Sequence, residues 1–305
     1  MSTAPRASEA PPALVILGQP VAQSLSPVFQ NAALHAAGLA VSYTRREVSA
    51  SDLSALLASY GATRTGGNVT MPHKQAVFAA AAQHTAAATQ TGAVNTFWWE
   101  GGVLVGHNTD IDGIRATVAA LCPRGIADDV VLVGAGGAAA AVLAALEGIS
   151  PPGTRLHIVA RSTDRAAALV ARSASPAQQP HVYLHADPHT VPWASVALVI
   201  NATPQGMQDS DAHPAALSVL RPGCAVYDLV YRPTGTDWVH GARARGLRAE
   251  DGMRMLVEQG ASAFECWFGI PAPRAVMWQA LGAMVPPADA PRALPHTSRP
   301  DPAAT

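Results

Sequence analysis

The stretch 130–146 is the longest apolar run in the chain, and it narrows the choice of fold more than any other segment. Asp128-Asp129 and Glu147 bound it, and Gly134, Gly136 and Gly137 interrupt it. A membrane helix needs about 20 consecutive apolar residues, so the interruptions argue against a span. The run instead divides into a strand, Val130-Val131-Leu132-Val133, a glycine turn, and an alanine-rich helix over 138–146. An apolar strand leading straight into a helix is the unit of a parallel sheet covered on both faces.

The same unit recurs downstream. Strands are expected at 156–160, 198–201 and 225–229, helices at 164–171 and, after Gly252, at 255–267. Upstream lies a separate series. Residues 14–17 read as a strand ended by Gly18 and Pro20. A helix over 28–37 follows, with Ser26 as its N-cap and Pro27 in its first turn. Residues 43–48 alternate like a strand, 52–58 read as helix, and 66–70 as a strand; Trp98-Trp99 is assigned to another strand, without a function. At 305 residues the chain has room for two domains with cores of their own.

Composition removes several classes of function. The formal net charge is −1, which lacks the basic footprint of a nucleic-acid binder. Cys122, Cys224 and Cys266 form no C-x-x-C pair, so a disulfide framework or cysteine zinc site is not expected, and a reducing compartment is. Residues 1–12 lack the apolar centre of a signal peptide. The expectation is a cytoplasmic protein with no membrane partner; whether it forms a homodimer is left open. Residues 1–11 and 286–305 are polar or Pro/Ala-rich and are expected to be disordered. His181, His185 and His189 recur every four residues, but Pro180 and Pro188 break any helix that would align them. Exposed loop histidines are expected there, and no metal site.

Gly134-Ala135-Gly136-Gly137-Ala138-Ala139 is a G-x-G-x-x-A turn between strand and helix. Gly134 permits the turn, Gly136 lets backbone approach a pyrophosphate, and the small residue at the third position lets helix and strand pack closely. Gly137 and Ala138 open the helix, whose free N–H groups and dipole favour an anion. The end of the next strand should distinguish the cofactors. An Asp or Glu there would hold the adenosine ribose of NAD. This chain has Arg161 and Ser162, with Arg165 a turn later, which suits the 2′-phosphate of NADP. In the other reading both arginines are surface residues and Asp164 serves the ribose.

Only 13% of residues are charged, so two ionisable groups set among Asn and Thr stand out. Lys74 closes Gly67-Asn68-Val69-Thr70-Met71-Pro72-His73-Lys74, Asp110 closes Asn108-Thr109-Asp110, and Gly92-Ala93-Val94-Asn95-Thr96 lies between. A Lys held near a carboxylate and partly withdrawn from water can exchange a proton with a substrate oxygen. Taken singly, Lys74 would be a surface residue starting a helix and Asp110 a helix cap. Together with the glycine turn they suggest hydride transfer coupled to proton transfer.

These blocks resemble the shikimate dehydrogenase family. The resemblance runs in order from about residue 14 to about residue 284 through Gly18-Gln19-Pro20, Ser24-Leu25-Ser26-Pro27, the Lys74, Asn95 and Asp110 blocks, the Gly134 turn, Asn201-Ala202-Thr203, 228–231 and 252–259. It implies NADP-dependent, reversible reduction of 3-dehydroshikimate to shikimate. It also implies a substrate-binding α/β domain at 12–112 completed by helices over 254–284, and a Rossmann-type doubly wound parallel sheet at 113–253. By the same likeness Ser24, Ser26 and Thr70 would bind the substrate carboxylate, and Asn95, Asp110 and Gln259 its ring hydroxyls. Tyr231 would bind substrate and lie near the nicotinamide as well, Thr203 and Gly252 would flank the nicotinamide, and Lys74 would touch the reacting oxygen, as acid or as electrostatic stabiliser. Gln23, His73, Arg254 and Thr236-Asp237 depart from the commonest family pattern, so a quinate-using or broader paralogue is the alternative, and a non-catalytic NADP-sensing protein a further one. Gly113 and Gly252 are candidate hinges for closure of one domain on the other.

Overall fold

The computed structural model describes residues 10–173, 181–208, 211–232 and 234–283. Two six-stranded sheets, each flanked by helices, account for most of them. The first sheet is mixed. Its strands are β1 (Leu14–Gly18), β2 (Tyr43–Glu47), β3 (Gly66–Val69), β4 (Gln83–His84), β5 (Thr96–Glu100) and β6 (Val103–His107), in the spatial order β2-β1-β3-β5-β6-β4. β1, β2 and β3 run parallel, and β5 is antiparallel to both β3 and β6. Consequently the ends of β1, β3 and β6 and the start of β5 all meet at one sheet edge.

Helices α1 (Ser26–Ala36), α2 (Leu53–Thr63), α3 (Lys74–Ala80) and α4 (Ala86–Thr91) connect these strands, and α5 (Asp110–Leu121) leads to the second sheet. That sheet is wholly parallel: β7 (Asp129–Val133), β8 (Arg155–Val159), β9 (His181–His185), β10 (Val196–Asn201), β11 (Ala225–Asp228) and β12 (Arg248–Glu250), ordered β12-β11-β10-β7-β8-β9. This is the doubly wound dinucleotide-binding order, with its switch point between β7 and β10. Its helices are α6 (Gly137–Leu146), α7 (Thr163–Ser173) and α8 (Asp237–Ala244). The expected two-part α/β fold is present.

The chain then returns. α9 (Gly252–Phe268) and α10 (Arg274–Gly282) pack on the first sheet, where Met253, Val257, Phe264, Trp267, Met277 and Leu281 share a core with Leu14, Phe29, Tyr43 and Trp98. The expected boundaries at 112/113 and 253/254 both fall inside helices, α5 and the first turn of α9. Ile111, Ile114 and Val118 of α5 join the core of the second sheet while α9 covers the first. A side chain on Gly113 would stand 2.6 Å from the Met255 carbonyl oxygen, so close contact of α5 with α9 explains this glycine.

Several expectations need correction. Ser26 is not the N-cap of α1; Leu25 is, without a side-chain cap, and Ser26 is the first helical residue. β2 falls where a strand was expected, but only Tyr43 is buried in it, because an edge strand has neighbours on one side. His181 and His185 belong to edge strand β9 rather than a loop, and His189 lies in a 3-10 turn capped by Asp187. Of the expected N-terminal tail, Pro11 is buried and abuts Gly66. The remaining tail residues, 1–9 and 286–305, lie outside the described residues. Among the described residues no helix is long and apolar enough to cross a membrane.

Candidate active site

The edge of the first sheet gathers the polar blocks. Lys74 opens α3, Asp110 opens α5, and Asn95 immediately precedes β5. Lys74 Nζ lies 2.7 Å from Asp110 Oδ2, with the two side chains 30% and 12% exposed. Asn95 Nδ2 donates to Asp110 Oδ1 at 2.8 Å and to Gln259 Oε1 at 3.3 Å. The Asp110 backbone N–H donates to Asn108 Oδ1 at 3.0 Å, and Asn108 is tied in turn to Thr91 and to the Ala93 carbonyl. Lys74, Asp110, Asn95 and Gln259, from four separate stretches of sequence, therefore form one hydrogen-bonded cluster. The departure at His73 has a structural use: its buried ring meets the Val48 carbonyl at 2.8 Å and fixes the start of α3.

A second group of hydroxyls stands at the same edge. Ser24 follows β1 and Thr70 follows β3, whose ends are adjacent. Ser24 Oγ accepts from the Ser26 backbone N–H at 3.3 Å, so the local turn is tied by Ser24 rather than by Ser26. Arg45 secures the turn from outside, donating to the Ser24 carbonyl at 2.6 and 3.1 Å. The buried Ser26 side chain points at Tyr43, whose phenol burial pushes well above its ordinary pKa.

The other sheet presents the glycine turn at its switch point. Gly134 has φ of +115°, a conformation that side chains avoid, and a Cβ there would also press on Ala202 and Thr203 at 3.0 Å. Beyond it, Cβ atoms at Gly136 and Gly137 would meet open space, and no side chain caps the N-terminus of α6. An uncapped helix N-terminus beside open glycines suits a pyrophosphate. Arg161 and Arg165 are exposed beyond β8, and Ser162 Oγ accepts from the Arg165 N–H at 3.3 Å, which ties this turn. Thr203 is held by Asn201 Oδ1, which accepts from its N–H at 2.9 Å and its hydroxyl at 2.6 Å. Asn201 is braced by Asp228, whose carboxyl burial pushes up against hydrogen bonds from Asn201, Thr236 and the Val230 N–H. The donor set fits a dinucleotide with an extra phosphate on its adenosine side.

α9 joins the two edges. Its N-cap Asp251 accepts from the Met253 N–H at 2.9 Å, and a Cβ on Gly252 would lie 2.2 Å from the Leu229 carbonyl oxygen, just past β11. Tyr231 lies two residues further on from Leu229, 36% exposed, its phenol pushed up by burial. Gln259 sits seven residues along the helix from Gly252, a rise of about 10 Å, and enters the Asn95–Asp110 cluster. α9 therefore runs from beside the end of β11 into the Lys74 cluster. Among the described residues no group of three or more His, Cys, Asp or Glu side chains is arranged to hold a metal ion.

Tyr43, Asn68, Thr96 and Thr109 also belong to this network, and their hydrogen-bonding roles are not evident from sequence. The polar blocks around Asn68, Thr96 and Thr109 were a usable signal; Tyr43 in a strand gave none.

Comparison with known proteins agrees with this geometry. Residues 16–97 match the family model for the shikimate dehydrogenase substrate binding domain, and 252–281 that for the shikimate 5'-dehydrogenase C-terminal domain. A shikimate dehydrogenase (NADP(+)) of Symbiobacterium thermophilum is 40% identical over 272 residues, 87% of this chain and 91% of the relative. The crystal structure of shikimate 5-dehydrogenase from Thermus thermophilus, in complex with NADP(H) and shikimate, superposes with a TM-score of 0.76 at 34% identity, covering 90% of this chain and 99% of that one. A quinate dehydrogenase from Corynebacterium glutamicum in complex with NAD gives 0.80 at 32% identity, over 89% and 98%. Likeness at this identity, along nearly the whole of the relatives' length and through both sheets, has one reading: the chain belongs to the shikimate dehydrogenase family.

Proposed function

We propose that this protein is an NADP-dependent dehydrogenase interconverting 3-dehydroshikimate and shikimate, with Lys74 and Asp110 handling the proton. The observation that carries the reading is the 2.7 Å contact of Lys74 Nζ with Asp110, in a cluster that also holds Asn95 and Gln259. NADPH, when bound, supplies the hydride. The substrate oxygen gains negative charge as its carbon is reduced, and the Lys74 ammonium is the group that neutralises it. Proton donation and electrostatic stabilisation are both open to an ammonium, and Asp110 holds it in place. Asn95, Asp110 and Gln259 orient the ring hydroxyls, while Ser24, Ser26 and Thr70 receive the carboxylate through hydroxyl groups.

On the other edge Gly134, Gly136, Gly137 and Ala138 take the pyrophosphate, and Arg161, Ser162 and Arg165 the 2′-phosphate, supported by their exposure beyond β8. Thr203, Tyr231 and Gly252 flank the nicotinamide half, supported by the braced Asn201–Asp228 loop and the close approach of Gly252 to Leu229. We assign 12–112 with the helices over 254–284 to substrate and 113–253 to cofactor, with α5 and α9 shared. A cytoplasmic location is part of the same reading. Cys122, Cys224 and Cys266 are free, and burial pushes the Cys224 and Cys266 thiols up to about 12, which keeps them as thiols.

A second reading, quinate oxidation, draws on the likeness to the Corynebacterium glutamicum quinate dehydrogenase. Following NADP⁺ reduction by the purified protein with shikimate or quinate separates the two. Turnover with shikimate far above that with quinate is expected. Comparable turnover would move the assignment to the broader paralogues, and no turnover with either would reject it.

A further inference from the structure

Behind Lys74 and Asp110 runs a line of buried hydroxyls and amides. Tyr43 Oη donates to Asn68 Oδ1 at 2.7 Å, and Asn68 Nδ2 donates to Thr96 Oγ1 at 2.9 Å. Thr96 Oγ1 lies 2.9 Å from Asn95 Oδ1, and Asn95 Nδ2 donates to Asp110 Oδ1 at 2.8 Å. The other carboxylate oxygen holds Lys74. Tyr43, Asn68, Thr96, Asn95 and Asp110 are all buried.

Backbone groups fix the sense of this line. Asn68 Nδ2 also donates to the Asn95 carbonyl at 3.1 Å, and a carbonyl only accepts. Asn68 Oδ1 must therefore face Tyr43, whose phenol is the donor. The Thr109 backbone N–H donates to Asn95 Oδ1 at 2.8 Å, and an N–H only donates. Asn95 Nδ2 must therefore face Asp110. Thr96 accepts from Asn68, so its own proton goes to Asn95 Oδ1 or to Thr109 Oγ1 at 3.1 Å. The donors from Tyr43 to Asn68, from Asn68 to Thr96 and from Asn95 to Asp110 all point toward the carboxylate. With the Thr96 proton on Asn95 Oδ1 the line is unbroken, and its members polarise one another in the same direction.

We infer that Tyr43 and Thr96 are positioning residues for the Lys74–Asp110 pair. The backbone sets which way the two asparagine amides face. The Tyr43 hydroxyl on the Asn68 amide, and the Thr96 hydroxyl beside Thr109 on the Asn95 amide, help hold them there, so that Asp110 keeps a neutral donor on one oxygen and Lys74 on the other. Neither residue touches Lys74. The inference rests on the assignment of proton handling to Lys74 and Asp110.

Thr96→Val keeps the volume and removes the hydroxyl, Thr96→Ser keeps the hydroxyl, and Tyr43→Phe removes the first donor. Rates are measured with shikimate and NADP⁺ and divided by the number of NADPH-binding sites, so that unfolded protein does not count. Thr96→Val is expected to lower kcat about 10-fold or more while KM for shikimate moves less than about 3-fold, as displacement of a reacting group does. Thr96→Ser is expected to recover most of the rate, and Tyr43→Phe to lose about 3-fold or more in the same parameter. A hydroxyl that served folding alone would reduce the melting temperature and the number of sites, and leave kcat per site unchanged. A kcat per site within about 2-fold of wild type for Thr96→Val overturns the inference; if that variant does not fold, an unchanged kcat in Tyr43→Phe does so. Lys74→Ala run alongside separates the levels. A crippled Lys74→Ala beside a normal Thr96→Val removes only the positioning role, whereas a normal Lys74→Ala removes the proton assignment and this inference with it.

Discussion

Lys74 and Asp110 meet because each opens a helix at the same sheet edge, where the ends of β3 and β6 bring two polar turns together. The cofactor side depends on single residues in a comparable way. Arg161 and Arg165 carry the only guanidinium groups in the turn after β8, and no carboxylate stands at the strand end itself. Arg161→Ala is expected to raise KM for NADPH about 10-fold, the worth of one charge-assisted hydrogen bond, with KM for NADH little changed. A matched rise for both cofactors would take Arg161 out of 2′-phosphate recognition. Lys74, Asp110 and Asn95 were legible in the sequence because polar residues are conspicuous in a chain with so few charges, and Gln259 only through the family resemblance. The hydrogen-bond partners of Tyr43 and Thr96 were not legible: what a strand hydroxyl bonds to depends on register, here Asn68 opposite Thr96. Ser26 shows the converse, since Ser before Pro reads as a cap and the structure places it one residue inside the helix.

At the scale of elements, α5 and α9 pack together between the two cores, and the cap of α9 is an ionisable group. Burial raises the Asp251 carboxyl from 3.8 to about 6, against the Met253 N–H it caps and the charge of Arg243. The native state then holds a proton that the unfolded chain has released, so stability falls as pH rises from about 4 to about 6. Asp251→Asn keeps an accepting oxygen for Met253 and removes the titration. The unfolding free energy from denaturant titrations across this window should fall less with pH in the variant, by on the order of 2–3 kcal/mol. Parallel slopes in the two proteins would show that Asp251 titrates at its ordinary value. The contact of α5 with α9 is tested by Gly113→Ala, whose Cβ would stand 2.6 Å from the Met255 carbonyl oxygen. A loss of about 1–3 kcal/mol in unfolding free energy is expected, as for other overpacked sites; an unchanged midpoint would mean the helices part at no cost. Apolar strands such as β7 and β10 were evident from composition. Edge strand β2 was read from its alternation, whereas edge strand β9 was missed, because a strand with one neighbour has no reason to keep a clean apolar pattern.

At the scale of the whole molecule, two sheets with separate cores are joined by α5 and α9, and the candidate site lies where their strand edges are brought together. The two-part α/β architecture could be read from strand and helix alternation alone. The return of α9 and α10 to the first sheet was implied by the family resemblance alone, since local periodicity says nothing about which of two cores a helix will cover. A two-part molecule joined by two helices can close on its ligands. Scattering with NADPH and shikimate together should give a smaller radius of gyration than the free protein, and identical profiles would argue for a rigid cleft. The most direct test of the proton assignment is kcat for shikimate oxidation by Lys74→Ala, alongside NADPH affinity. A fall of at least ~10²-fold with cofactor affinity intact is the expected result; a near-normal kcat would contradict the role given to Lys74 and, with it, the chemistry assigned to this site.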